Sequence, residues 1–106
     1  MPDRPPLVIV GAGGFGREVA ALVEAVNRQA SSWSLAGFVD DDPSRHGDTV
    51  MGYSVRGDVY WLAQQTDLRF VIAIGDGAAR RRIAERLRPS AATAASLLHP
   101  SVSIHR

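Results

Sequence analysis

The reading of the chain turns on Leu7–Val23, LVIVGAGGFGREVAALV. Leu7–Val10 is a continuous, mostly β-branched apolar run, the pattern of a strand buried on both faces. Gly11, Gly13 and Gly16 follow at G-x-G-x-x-G spacing. From Gly16 the period changes, and Val19, Leu22, Val23 and Val26 recur every three or four residues. That spacing gives one apolar stripe on a helix running to about Gln29. A buried strand, a glycine turn and a helix in this order can hold an anion. The glycines permit a tight turn and close backbone approach, and the first N–H groups of the helix point at the ligand. The candidate residues are Gly11, Ala12, Gly13, Gly14, Phe15 and Gly16. A tight turn that binds nothing is the competing reading.

Working outward, Leu35–Val39 reads as a second strand, stopped by Asp40, Asp41, Asp42 and Pro43. The stretch from Asp40 to Val50 is rich in turn formers and reads as a loop, and VMGYSV, Val50–Val55, as one short strand. Asp58 is placed to cap a short helix through VYWLAQQ. Phe70–Ile74 is the clearest strand, followed by Gly75–Asp76, a helix over AARRRIAERLR that stops before Pro89, and a last strand in TAASLLH. The alternation specifies an α/β, Rossmann-like open sheet of about five mostly parallel strands with helices on both faces. In such sheets ligands sit at the carboxyl ends of the strands. Gly11–Gly16, Asp40 and Gly75–Asp76 are those ends here.

Composition narrows the chemistry. The 106 residues include no cysteine, which excludes disulfides, thiolate nucleophiles and cysteine-based metal sites. All 12 basic residues are arginine, so Schiff-base chemistry and a P-loop lysine are excluded as well. Phosphate contacts must then come from backbone N–H groups, hydroxyls or arginine. A net charge of +1 creates no long-range field toward nucleic acid or anionic membrane. No apolar run reaches the ~18–20 residues of a membrane span. The first six residues lack a signal-peptide pattern and read as a loose leader, so a cytoplasmic location is expected.

Asp40 is placed either to hydrogen-bond a ribose hydroxyl or to close a turn. Asp40, Asp41, Asp42, His46 and Asp48 lack the spacing and closing Glu of a calcium loop, and no metal site is expected. Arg80 and Arg17 are the arginines considered for a phosphate contact.

VIVGAGGFGREVA, GFVDDDP, GYSVRGD, VIAIGDGAARRRI and SLLHPSVSI stand together in an order that resembles the N-terminal domain of NeuD/PglD-like sugar O- and N-acyltransferases. The resemblance covers the chain from Leu7 onward. It implies a protein in two parts, a Rossmann-like domain that binds a UDP- or CMP-type nucleotide-sugar, or a sugar, and a hexapeptide-repeat left-handed β-helix. The β-helix would bind acetyl-CoA, carry the catalytic histidine and form a homotrimer. On this reading residues 7–98 are the substrate-binding domain, residues 99–106 begin the β-helix, and the chain alone is inactive. The resemblance puts Gly11–Gly16 under the nucleotide phosphates and Asp40 and Asp41 near the nucleoside. Gly75 and Asp76 fall at a second ligand-facing turn, and Arg80 at a basic position in the helix that follows. The alternative from the glycine loop alone is an NAD-binding fragment of an oxidoreductase. Against it stand the small number of strands and the lack of a substrate domain.

Overall fold

A computed structural model of the chain describes residues 6–30, 33–90, 92–94, 97–99 and 102–104. Strand β1 (Pro6–Val10) leads through the glycine turn into helix α1 (Gly14–Gln29) and strand β2 (Ser34–Val39). The chain then forms β3 (Thr49–Val50), β4 (Tyr53–Gly57), helix α2 (Val59–Ala63), β5 (Arg69–Ile72), helix α3 (Gly77–Leu87) and β6 (Thr93–Ala94). These six strands make one sheet in the order β3-β4-β2-β1-β5-β6. Every pairing is parallel except the edge pair β3–β4. Two further strands, β7 (Leu97–His99) and β8 (Val102–Ile104), pair antiparallel with each other.

The central strand shows why the sequence chooses this arrangement. Side chains alternate across a strand, so β1 buries Leu7 and Ile9 on one face and Val8 and Val10 on the other. Leu7 and Ile9 meet Val19, Ala20 and Val23 of α1. Val8 and Val10 belong to the opposite core, with Val59 and Leu62 of α2 and Ile83 and Leu87 of α3. An uninterrupted apolar strand is therefore the expected signature of a sheet covered on both sides. The α/β class and its mostly parallel sheet are as the sequence specifies.

Three details depart from the sequence reading. VMGYSV is not one strand but a hairpin turn between β3 and β4, with Met51 at φ 53° and Gly52 at φ 85°. Two successive positive φ values give the mirror-image turn that suits the right-handed twist of paired strands. The acidic loop contains a 3₁₀ turn, Pro43–Arg45, because Asp42 accepts from the Ser44 N–H and Pro43 fixes φ at the first helical position. TAASLLH divides as well: Thr93–Ala94 joins β5, whereas Leu97–His99 pairs with Val102–Ile104. Apolar patterning marks these residues as strand but does not choose their partner. Strand β7 thus spans the expected domain boundary between residues 98 and 99.

Candidate functional site at the strand ends

The strand order reverses at β1. The chain leaves β1 toward β2 and β4 on one side and returns through α2 to β5 on the other. A crevice opens at the carboxyl end of a strand where neighbouring connections diverge in this way. Hydrogen bonds fix its rim: the Gly11 N–H donates to the Val39 carbonyl at 2.8 Å, Ala73 N–H to Val10 at 2.8 Å, and Asp40 N–H to Gly57 at 2.9 Å. The ends of β1, β2, β4 and β5 are thus held together.

Two glycines of the loop are dictated by contact. Gly11 has φ +112°, and a Cβ there would lie 2.6 Å from the Ala73 carbonyl oxygen. At Gly16 a Cβ would collide with the Gly11 carbonyl oxygen, so only glycine lets α1 pack this close to β1. Gly14 meets nothing, and Gly13 faces the Arg45 guanidinium. Gly13 is also the N-cap of α1, with no side-chain cap and no acid in the first turn. The helix therefore presents its uncompensated N-terminal N–H groups at the crevice. Phe15 stands on this first turn with 38% of its surface exposed.

Asp40 ties the loop to the end of β2. Its Oδ2 accepts from the Ala12 N–H at 2.9 Å, its Oδ1 accepts from Asp42 N–H at 2.9 Å, and Arg45 Nε lies 3.6 Å away. Arg45 also donates from a guanidinium nitrogen to the Ala12 carbonyl at 3.2 Å. The neighbouring His46 reaches the Asp40 carbonyl with Nε2 at 2.7 Å, where the ring nitrogen must be the donor. The only full positive charge shown touching the glycine loop, among the described residues, is thus Arg45. Sequence reasoning considered Arg80 and Arg17 for such a contact and did not single out Arg45. The available signal was Asp42-Pro43, which starts a helical turn and swings Arg45 back over Asp40.

Asp41, Asp76 and Arg80 turn elsewhere. Asp41 accepts from the Val59 N–H at 3.0 Å and forms an ion pair with Arg86 of α3 at 2.7 Å. Burial pushes its carboxyl up, but the Val59 N–H and the Arg86 guanidinium outweigh that and hold it below the usual carboxylate range. Asp76 is the N-cap of α3, accepting from Ala78 and Ala79 N–H groups. Those bonds, Ala79 first, lower its pKa. Arg80 donates to the Ile74 carbonyl at 3.4 Å and lines a separate cavity along α3. Gly75, exposed and free of steric restriction, follows Ile74, whose side chain packs beside Gly11. The structure thus brings Gly11–Gly16, Asp40 and the β5 end together, while Asp41 serves the junction of α2 and α3.

Among the described residues no helix is long and apolar enough to cross a membrane. Comparison with known proteins places the fold. No curated protein matches the chain. The structure is similar to perosamine N-acetyltransferase from Caulobacter crescentus, solved in complex with CoA and GDP-perosamine. The two share 30% identity and a TM-score of 0.67, over 91% of this chain and 43% of that one. It is similar too to the acetyltransferase domain of PglB from Neisseria gonorrhoeae FA1090, in complex with acetyl coenzyme A. There the identity is 28% and the TM-score 0.62, over 80% of this chain and 39% of that one. The chain spans less than half the length of either acetyltransferase. A Rex-family repressor, RSP, shares the fold at 19% identity and a TM-score of 0.57, covering 81% of this chain and 42% of that one. The profile of the PglD N-terminal domain matches residues 6–87, from the first strand to the end of α3, and the chain belongs to that family.

Proposed function

We propose that the chain is the nucleotide-sugar-binding domain of an acetyl-CoA-dependent sugar acyltransferase. Its membership of the PglD N-terminal domain family carries the reading. The similar acetyltransferase that holds both CoA and GDP-perosamine supports a nucleotide-activated sugar as the ligand class. Guanine joins uracil and cytosine as a candidate base. The phosphates would lie against the first turn of α1 and the Arg45 guanidinium, two positive features that meet at Gly13. Asp40 would hold the loop in shape and offer its remaining acceptor capacity to a ribose hydroxyl. Gly75 and the turn at Asp76 would form the opposite lip.

Acyl transfer in this reading belongs to a hexapeptide-repeat domain outside the 106 residues, which would bind acetyl-CoA and assemble the parent as a trimer in the cytoplasm. The chain alone would bind the sugar nucleotide and transfer nothing. The NAD-binding alternative has no support beyond the shared fold, since the repressor likeness is only 19% identical.

Calorimetry with GDP, UDP, CMP, NAD and CoA tests the proposal. Binding of a nucleoside phosphate that weakens roughly tenfold in Arg45→Ala would support it, since a charge-assisted hydrogen bond contributes about 1.5–3 kcal/mol. Binding of NAD alone would overturn it in favour of the dinucleotide reading.

A further inference from the structure

A cavity of about 590 Å³ lies between α3 and the β5–β6 edge of the sheet, on the face away from α1. Its volume falls within the roughly 300–1,000 Å³ typical of small-molecule sites. The floor is apolar, made by Phe70 and Ile72 of β5 and Leu87 of α3. Small side chains create the hollow. Ala84 sits between Arg81 and Arg88 on one helical face, at i, i+3 and i+7 spacing. The wall across from it carries Ala92 and Ala94.

Charge makes this hollow more than a packing gap. Arg80, Arg81 and Arg88 line it, and among the described residues no carboxylate does. Arg80 spends one donor on the Ile74 carbonyl. Among the described residues, neither Arg81 nor Arg88 has a carboxylate within ion-pair distance, in contrast to Arg86, which holds Asp41. Asp76, whose carboxyl feels Arg82 and Arg81, has its Oδ1 committed to capping α3. Guanidinium groups above an apolar floor complement a molecule with a non-polar body and an anionic head.

We infer that this cavity is a second ligand site, separate from the glycine loop, for a small organic anion with an apolar body. The body rests on Phe70, Ile72 and Leu87, and the head is held by Arg81 and Arg88. The inference does not depend on the identity of the ligand at the strand ends.

The probe is 8-anilinonaphthalene-1-sulfonate, an aromatic body carrying one sulfonate, titrated into the folded chain by fluorescence. Alanine methyl resonances report where it sits. The expected result is saturable one-to-one binding that shifts the methyls of Ala84, Ala92 and Ala94. The double variant Arg81→Gln, Arg88→Gln should weaken it at least about tenfold. Ala84→Trp, which fills the hollow from an exposed helical position, should abolish it. A cooperative unfolding transition in both variants, equal to that of the parent, excludes dye uptake by a loosened core. Three outcomes would overturn the inference: no saturation at millimolar dye, equal affinity for the uncharged N-phenyl-1-naphthylamine, or methyl shifts confined to Ala12 in the glycine loop.

Discussion

The two ends of the β5–α3 connection solve opposite problems. On one side, toward β1, the backbone is crowded and polar: Gly11 presses on Ala73, and Asp40, Arg45 and Ala12 are bound to one another. On the other side, along α3, small side chains leave space, and the arginines around it are largely uncommitted among the described residues. The first region is tight because several chain segments converge at a switch point. The second is open because, among the described residues, β6 contributes only Thr93 and Ala94 to the sheet edge. Crowding makes sequence identity obligatory at the loop. Openness leaves the α3 edge tolerant of substitution, and that contrast can be tested by stability.

The largest expected effect is at Gly16. Gly16→Val must push α1 off β1, and a loss of about 3 kcal/mol or more is expected in urea denaturation. Gly14→Ala, two residues earlier where nothing lies within 4 Å, should be neutral or stabilise by up to about 1 kcal/mol. Equal losses at the two positions would show that the loop is constrained by something other than the Gly16–Gly11 contact.

Asp40→Ala comes next. It leaves the Ala12 N–H, on a residue only 2% exposed, without its acceptor, and should cost about 1–3 kcal/mol. Asp58→Ala should cost less, about 1 kcal/mol, since it removes one cap bond to the Trp61 N–H from a five-residue helix.

Acid sharpens the comparison further. The folded-state pKa of Asp41 lies below its ordinary value, so the folded protein binds that proton less readily than the unfolded chain. The associated stability is complete above the unfolded value near pH 4 and disappears as pH falls through the folded value. Asp41→Asn should therefore be less stable than the parent at pH 7, and the difference should shrink as pH falls below about 4 in pH-dependent melting. A difference that did not change with pH in acid would remove the Arg86 pairing as its cause. The smallest effect belongs to the open side, where Arg81→Gln with Arg88→Gln should change stability by no more than about 0.5 kcal/mol.

Legibility followed the same division. Leu7–Val10 declared a strand covered on both faces because its alternate residues serve two cores, and no other structure buries four consecutive apolar residues so simply. The α1 stripe held at Val19, Val23 and Val26, while Leu22 lies at its half-buried margin. Asp58 was readable as a cap because the bond it makes is local, three residues away. Asp76 was read from the sheet topology and from the resemblance as part of a strand-end turn, and the structure adds that its carboxylate caps α3. Arg45 was missed because its partners, Ala12 and Asp40, are set by a turn and a sheet register rather than by spacing along the chain.

The sequence by itself determined the α/β class, the glycine turn between β1 and α1, the apolar faces and the cap at Asp58. Each depends on periodicity or on contacts within a few residues, and such information is carried by neighbouring letters. Only the tertiary structure decided that Asp40 and Asp41, adjacent in sequence, would part, one to the glycine loop and the other to α2 and α3. Successive side chains leaving a strand point to opposite faces, so two identical residues meet different partners. The cavity beside α3 was likewise beyond the sequence, because a void is defined by what packing fails to fill, and three alanines become a hollow only when two elements face each other across them.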